Sequence, residues 1–228
     1  MKSLAVHIGS QLLELSPYKS AYEKIAEMTR YLRSTGHEIS HLDLGGGLGI
    51  PYSDESLADL TAYNQIISET VGDLDCKLSI EPGRYLVGEA GILITRVIYI
   101  KQGEQKKFVI VDGAMNDLIR PTLYDGFHAI VPVTEKNLSY QKSLCDVVGP
   151  ICESGDYFAK DRMLPEVSQN DLLAITCSGA YGAVMASNYN SRPLIPEVLV
   201  SNDVFSVIRE RQTFEKIIQD EKLAAWLQ

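Results

Sequence analysis

The stretch His41-Leu42-Asp43-Leu44-Gly45-Gly46-Gly47-Leu48-Gly49 decides how this chain reads. An apolar run from Ile39 to Leu44 meets three consecutive glycines. Glycine in series costs backbone entropy, so such a run belongs where a side chain does not fit. One such place is the carboxyl end of a strand, where backbone N–H groups approach an anion closely. A plain turn after a strand uses the same residues. Two further strand ends favour the first reading: His7-Ile8-Gly9-Ser10-Gln11 upstream and Glu81-Pro82-Gly83-Arg84 downstream. Each follows a short apolar run, and helix-like segments separate the runs.

Outward from the glycines, Leu4 to Ile8 reads as a buried strand. Ser16-Pro17 is a helix start, with Ser16 as N-cap and Pro17 at the first helical position. Ala21, Ile25, Met28 and Leu32 recur at helical spacing, and Gly36 can close that helix in the left-handed conformation. His37 to Leu44 is the next strand. Ser53 is expected to cap a second helix carrying Leu57, Leu60, Ile67 and Val71 on one face, and Lys77 to Ile80 is a third strand. This β-α-β-α-β order implies parallel strands with right-handed crossovers. All three unusual segments then lie at carboxyl ends of strands, where ligands of α/β proteins collect.

After Gly91 the pattern changes. Ile92 to Ile100 and Phe108 to Val111 are rich in β-branched residues, with a Gly103-Glu104 turn between them. Ala129 to Thr134, Ser143 to Val148 and Leu172 to Thr176 are further strands, and Val204 to Leu227 returns to helical character. The expected fold class is therefore α/β plus all-β, with an α/β domain over 1–90 and a β domain with a terminal helical segment over 91–228. A complete (β/α)₈ barrel takes about 250 residues. The α/β portion thus looks like the back part of something longer.

The 228 residues suffice for one large or two modest domains, and 45% of them are hydrophobic, enough for a real core. A net charge of −9 argues against a nucleic-acid surface, which needs clustered Lys and Arg. Cys76, Cys145, Cys152 and Cys177 show no CxxC pair or Cys/His metal spacing, so no metal site is expected and a reduced, cytoplasmic setting is the default. Met1 to Val6 is too short for a secretory signal, and the apolar run Gly91 to Ile100 carries Arg96 and is far below spanning length. No membrane partner is expected.

Several residues carry chemistry. His7, at a strand end, suits stacking on a flat ring or a satisfied structural role. Ser10 can donate to a phosphate. Glu81 calls for a cationic partner, either a protonated pyridine nitrogen or Arg84, whose five-donor fork suits carboxylate or phosphate. Cys152-Glu153-Ser154-Gly155-Asp156 packs a nucleophile or proton donor and two carboxylates into one turn, after Val147-Val148-Gly149-Pro150. Ser178-Gly179-Ala180-Tyr181-Gly182-Ala183 joins glycines to a phenol, with Met185 and Tyr189-Asn190 beyond.

Taken in order, His-x-Gly-Ser, Gly-Gly-Gly-x-Gly, Glu-Pro-Gly-Arg, Cys-Glu-Ser-Gly-Asp and Ala-Tyr-Gly resemble the fold-type III pyridoxal-phosphate decarboxylases. Within that group the chain is most similar to the diaminopimelate decarboxylases, whose Arg-Pro-x-Leu-Tyr segment matches Arg120-Pro121-Thr122-Leu123-Tyr124. The resemblance runs through nearly all of residues 4 to 228. It implies the last three strands of an alanine-racemase-like (β/α)₈ barrel followed by a β domain, and conversion of meso-2,6-diaminopimelate to L-lysine and CO₂. It also implies pyridoxal 5'-phosphate as cofactor. His7 would stack on the cofactor ring, while Ser10, Gly45, Gly46, Gly47 and the Pro82-Gly83-Arg84 backbone hold its phosphate. Glu81 would pair with the pyridine nitrogen, keeping the ring an electron sink. Tyr181 would contact phosphate and lie near substrate. Arg84, Arg120 and Tyr124 would hold the carboxylate at the substrate's non-reacting end, and Glu153 the distal ammonium. Cys152 and His7 are the catalytic candidates, Cys152 as proton donor. The Cys152-Glu153 loop would reach the neighbouring subunit's site, implying a homodimer.

One departure from the family is large. The lysine that tethers the cofactor lies in a Tyr-Ala-x-Lys-Ala-like strand near the start of the barrel, and no such segment exists here. Lys2, Lys19, Lys24 and Lys77 are in other contexts. The chain alone is therefore expected to be inactive. Two alternatives share these motifs: a non-catalytic remnant that dimerises or binds a partner, and a related basic amino-acid decarboxylase or racemase of the same fold.

Overall fold

The structure, a computed structural model, describes residues 2–227. Its chain divides into two compact units, Met1–Ile92 with Cys177–Ala180, and Leu93–Thr176 with Tyr181–Gln228.

In the first unit, three parallel strands stand in the order β1 (Ser3–Ala5), β2 (His41–Gly46), β3 (Lys77–Glu81). Leu4 pairs with Leu42 and Leu42 with Leu78. Between them run α1 (Ser16–Ser34) and α2 (Leu60–Val71), and α3 (Gly83–Val87) follows β3. Parallel neighbours require such crossovers, and the helices bury the sheet face that the strands' apolar residues present. Tyr18, Tyr22, Ile25, Ile39, Leu42, Leu44 and Leu48 form the core.

Helix boundaries show which local signals won. α1 begins at Ser16 with Leu15 in the cap position, and no side chain caps it, so the expected Ser16 cap is not made. Pro17 is in the first turn, where its missing N–H costs nothing. At the other end Gly36, at φ +88°, closes the helix as expected: its N–H donates to Arg33 O at 3.1 Å and that of His37 to Leu32 O at 3.0 Å. The expected helix start at Ser53 is corrected. α2 begins at Leu60, capped by the Asp59 carboxylate, which accepts from Thr61 N at 2.8 Å and Ala62 N at 3.2 Å. Ser53 instead bonds Glu55 at 2.9 Å, and Leu57 and Leu60, placed on the apolar face by their spacing, are exposed. A charged cap with two backbone donors outcompeted a serine already engaged with a neighbouring carboxylate.

The second unit is a six-stranded mixed sheet built from β4 (Leu93–Gln102), β5 (Lys107–Val111), β6 (Ile130–Pro132), β7 (Lys142–Val148), β8 (Tyr157–Pro165) and β9 (Leu172–Ile175). Short helix α4 (Arg120–Tyr124) lies between β5 and β6. The spatial order is β6-β9-β4-β5-β7-β8, antiparallel except for the parallel pair β5–β7. The expected β4–β5 hairpin forms around Gly103. Arg162 on β8 donates to His128 O, just before β6, at 2.8 Å and so ties the two edges of the sheet. Strand β8 escapes sequence reading because Lys160-Asp161-Arg162 interrupts its apolar pattern. Asp161, at φ +48°, takes up an irregularity there, and its N–H donates to the Asp146 carboxylate at 2.7 Å.

The helical expectation for Val204 to Leu227 is corrected too. β10 (Glu197–Ser201) and β11 (Val204–Arg209) form a separate antiparallel ribbon, and helix is confined to α5 (Phe214–Ile218), capped by Thr213, and one 3₁₀ turn, Ala225–Leu227. Val204-Phe205-Ser206-Val207-Ile208 is β-branched and aromatic, and Asn202 at φ +51° makes the turn. Among the described residues no helix is long and apolar enough to cross a membrane.

Phe158 anchors the core of the second unit, 2% exposed among Val97, Val109, Val111, Val147 and Ile175. Phe158→Ala is expected to cost about 3–5 kcal/mol, read as a fall in the urea midpoint of the transition that reports this unit.

Candidate functional site

The three glycines at the end of β2 leave no room for a side chain. A Cβ on Gly45 would stand 2.1 Å from Val6 O, one on Gly46 would stand 2.0 Å from Glu81 O, and one on Gly47 would stand 2.3 Å from Gly9 O. Gly45 and Gly47 also have φ of +71° and +98°. The carboxyl ends of β1, β2 and β3 therefore meet backbone to backbone, which draws His7, Ser10, Gly45, Gly46, Gly47 and Glu81 to one edge of the sheet.

Side chains complete that edge. The Gly45 N–H donates to the Asp43 carboxylate at 2.8 Å, and the Gly46 N–H points at His7 Nδ1, 3.5 Å away. Arg84, in the first turn of α3, donates to Ser10 Oγ at 3.2 Å and to the Tyr52 hydroxyl, with its guanidinium 5.6 Å from the Tyr52 ring centre. Arg84 thus joins the loop after β1 to the loop after β3. Among the described residues no ion pair or hydrogen bond engages the carboxylate of Glu81, which is exposed at the end of β3. Space beside Gly83 is open.

Behind the glycines lies a cluster that sequence reading missed. Tyr18 donates to Gly46 O at 3.3 Å, Tyr22 donates to Leu44 O at 3.2 Å, and the Tyr22 and Tyr63 hydroxyls are 2.8 Å apart. The Tyr18 and Tyr63 rings meet edge to face at 5.3 Å. Burial, with a smaller contribution from Tyr63, pushes the Tyr18 phenol up to about 12, and burial raises Tyr22 and Tyr63 as well. All three stay protonated and keep their hydroxyls available as donors. The signal was the i, i+4 pair Tyr18–Tyr22 on the buried stripe of α1.

In the second unit, the turn Cys152–Asp156 is held from inside. Asp156 is buried, and its carboxylate accepts from Met115 N at 2.7 Å and Ile151 N at 2.6 Å. That leaves Cys152 exposed at the rim. Glu153 accepts from Gly155 N at 3.2 Å and from the Tyr189 hydroxyl at 3.3 Å, and this carboxylate pushes the Tyr189 phenol up. Thr122 on α4 donates to Gly155 O, so the Arg120–Tyr124 helix is tied to the cysteine turn. Tyr124 is exposed, Tyr181 is partly so at φ +60°, and Arg120 is buried with Nη1 2.7 Å from His128 Nε2. Arg192 braces the neighbouring loop through Asn116 Oδ1 at 2.9 Å, Asp112 O at 2.7 Å and Asp117 at 3.5 Å. Among the described residues no cluster of His, Cys, Asp and Glu could hold a metal ion.

Comparison with known proteins gives a consistent set of matches. Residues 20–179 match the family described as pyridoxal-dependent decarboxylase, C-terminal sheet domain. The diaminopimelate decarboxylase of Zymomonas mobilis is 46% identical over 100% of this chain and 54% of its own length. That of Neisseria meningitidis serogroup A is 50% identical over 94% of this chain and 52% of its own length. The crystal structure of diaminopimelate decarboxylase from Helicobacter pylori complexed with L-lysine superposes with a TM-score of 0.90, at 44% identity, over 96% of this chain and 54% of that one. The chain spans about half the length of the curated relatives it matches.

Two outcomes follow from this geometry. Gly46→Ala should lower the melting temperature, because its Cβ can be relieved only by moving β3 away from β2; differential scanning calorimetry reads the effect. Asp117 has a carboxyl raised by burial, against the opposing Ala114 N–H and Arg192. A raised folded-state value makes its contribution fully present below the unfolded-state value and lost as pH rises through the folded one. Urea unfolding should therefore show wild type gaining stability on acidification through the range just above the usual aspartate value, and Asp117→Asn should lack that component.

Proposed function

The chain belongs to the family of pyridoxal-dependent decarboxylases, and we propose that it supplies part of the active site of a carboxy-lyase that converts meso-2,6-diaminopimelate to L-lysine and CO₂. The observation that carries this reading is the meeting of His7, Ser10, Gly45–Gly47 and Glu81–Arg84 at one sheet edge, in a chain matched along its whole length by such a decarboxylase.

The residues at that edge fit pyridoxal 5'-phosphate. A hydroxyl, a guanidinium and glycine backbone suit a phosphate dianion, and an exposed carboxylate at the end of β3 suits a pyridinium N–H. Ser10, Gly45, Gly46, Gly47 and the Pro82-Gly83-Arg84 backbone hold the phosphate, His7 stacks on the ring, Glu81 pairs with the ring nitrogen, and Tyr181 contacts the phosphate near substrate. When bound, the protonated ring takes up the electron pair left as CO₂ departs. Cys152 then gives its thiol proton to the carbon that lost the carboxyl group, and solvent reprotonates the exposed thiolate. Arg84, Arg120 and Tyr124 hold the carboxylate at the non-reacting end, and Glu153 the distal ammonium.

The first unit serves as the last three strands of an alanine-racemase-like (β/α)₈ barrel, with 1–90 as barrel and 91–228 as the β domain. The enzyme works in the cytoplasm as a homodimer, each Cys152-Glu153 loop completing the other subunit's site. Lys19 and Lys24 lie on α1, and Lys77 opens β3 at the end opposite the glycines. None is placed to tether the cofactor. Activity thus requires a segment that supplies that lysine.

The test joins this chain to the lysine-bearing part of the Zymomonas mobilis relative. The joined protein should release lysine and CO₂ from meso-diaminopimelate, and this chain by itself should release neither. Release from ornithine instead removes the substrate assignment, and a joined protein that binds the cofactor yet turns over no amino acid favours a non-catalytic role.

A further inference from the structure

His128 belongs to none of the sequence motifs, yet it is fully buried between α4 and β6. Its Nδ1 is 2.8 Å from Thr176 O. A carbonyl can only accept, so Nδ1 carries the proton. Its Nε2 is 2.7 Å from Arg120 Nη1, and a guanidinium can only donate, so Nε2 offers its lone pair. Together the two bonds define a neutral imidazole in a single tautomer.

The surrounding backbone holds the ring in place. The Gly126 N–H donates to Arg120 O at 3.1 Å, folding the chain after α4 back so that His128 returns to the residue that starts the helix. Arg162 donates to His128 O at 2.8 Å and stacks on Phe127, its guanidinium carbon 3.9 Å from the ring centre. The imidazole thus links two things: the Arg120 guanidinium at the start of α4 and the Thr176 carbonyl just past the end of β9. A long, buried side chain with several rotatable bonds has one end defined by an acceptor that cannot itself swing away.

We propose that His128 is a positioning residue that aims Arg120 at the carboxylate on the substrate's non-reacting end. This rests on the reading of Arg120 given above. A neutral acceptor suits the task, because it orients the guanidinium without neutralising it, as an Asp or Glu in the same place would.

The experiment has two parts. In this chain labelled with ¹⁵N-histidine, NMR should find His128 neutral and protonated on Nδ1; an Nε2–H tautomer or an imidazolium overturns the proposal. In the joined enzyme described above, His128→Asn, His128→Gln and Arg120→Gln are compared, with L-lysine and cadaverine as inhibitors. L-lysine keeps the non-reacting carboxylate and cadaverine lacks it. Asn retains a donor near Nδ1 and loses the acceptor for Arg120, whereas Gln retains an acceptor near Nε2. His128→Asn should raise KM for diaminopimelate and the inhibition constant of L-lysine about tenfold, the scale of one hydrogen bond to a charged group. Cadaverine inhibition should hold steady, kcat should change less than KM, and His128→Gln should recover most of the lysine affinity. Equal losses for lysine and cadaverine, or no rescue by Gln, indicate a packing defect and overturn the proposal. If Arg120→Gln weakens lysine binding and His128→Asn does not, the positioning role alone is overturned. If Arg120→Gln leaves lysine binding unchanged, the reading of Arg120 falls and the proposal with it.

Discussion

The first unit depends on contact between bare backbones. At the end of β2 the peptide chain approaches the carbonyls of Val6, Gly9 and Glu81 so closely that a methyl group at Gly45, Gly46 or Gly47 would overlap an oxygen. Everything else on that edge follows from this closeness. His7 comes to face the Gly46 N–H, the loops carrying Ser10 and Arg84 come within hydrogen-bond reach, and the carbonyls turned inward are taken by Tyr18 and Tyr22. The arrangement resembles a hand closed from the back, with phenols fixing the carbonyl side of the glycine strand. Because these phenols resist ionisation, the support holds across the physiological pH range.

The second unit places its exposed residues by burying polar ones. Asp156 accepts two backbone N–H groups below the turn that displays Cys152, and Thr122 fastens the same turn to α4. Buried carboxylates are costly unless their bonding capacity is met. Here the same bonds that meet it also define the loop, so the rim is exposed yet has little freedom. The turn's two carboxylates serve different ends: Asp156 is structural, while Glu153, bonded to Tyr189 and Gly155, lies on the solvent side.

What the sequence made legible followed signals that act locally. The parallel strands around the glycines, the Gly36 stop and the β4–β5 hairpin all came from short patterns whose physics is complete within a few residues. Misreadings arose where two local signals competed or where a partner was distant. Ser53 and Asp59 both look like caps, and only the folded chain reveals that Glu55 takes the serine. Val204 to Leu227 reads as helical until β10 supplies a partner for β11. Of the site, the motif residues could be named in advance, whereas the supports could not. Tyr18, Tyr52 and His128 act through bonds spanning 28, 32 and 8 positions of chain; only Tyr18 has a local trace, its i, i+4 spacing to Tyr22, and that spacing does not name the carbonyl it bonds.

The single parallel pair in the larger sheet also shapes how that sheet assembles. β5 ends at Val111, but its neighbour β7 begins only at Lys142, and the far side of β4 waits for β9 at Leu172. Consecutive hairpins therefore cannot zip the sheet up in the order of synthesis. A nascent chain that has made β4 and β5 carries two open edges until most of the unit has left the ribosome, an interval in which edge-to-edge mispairing competes with completion.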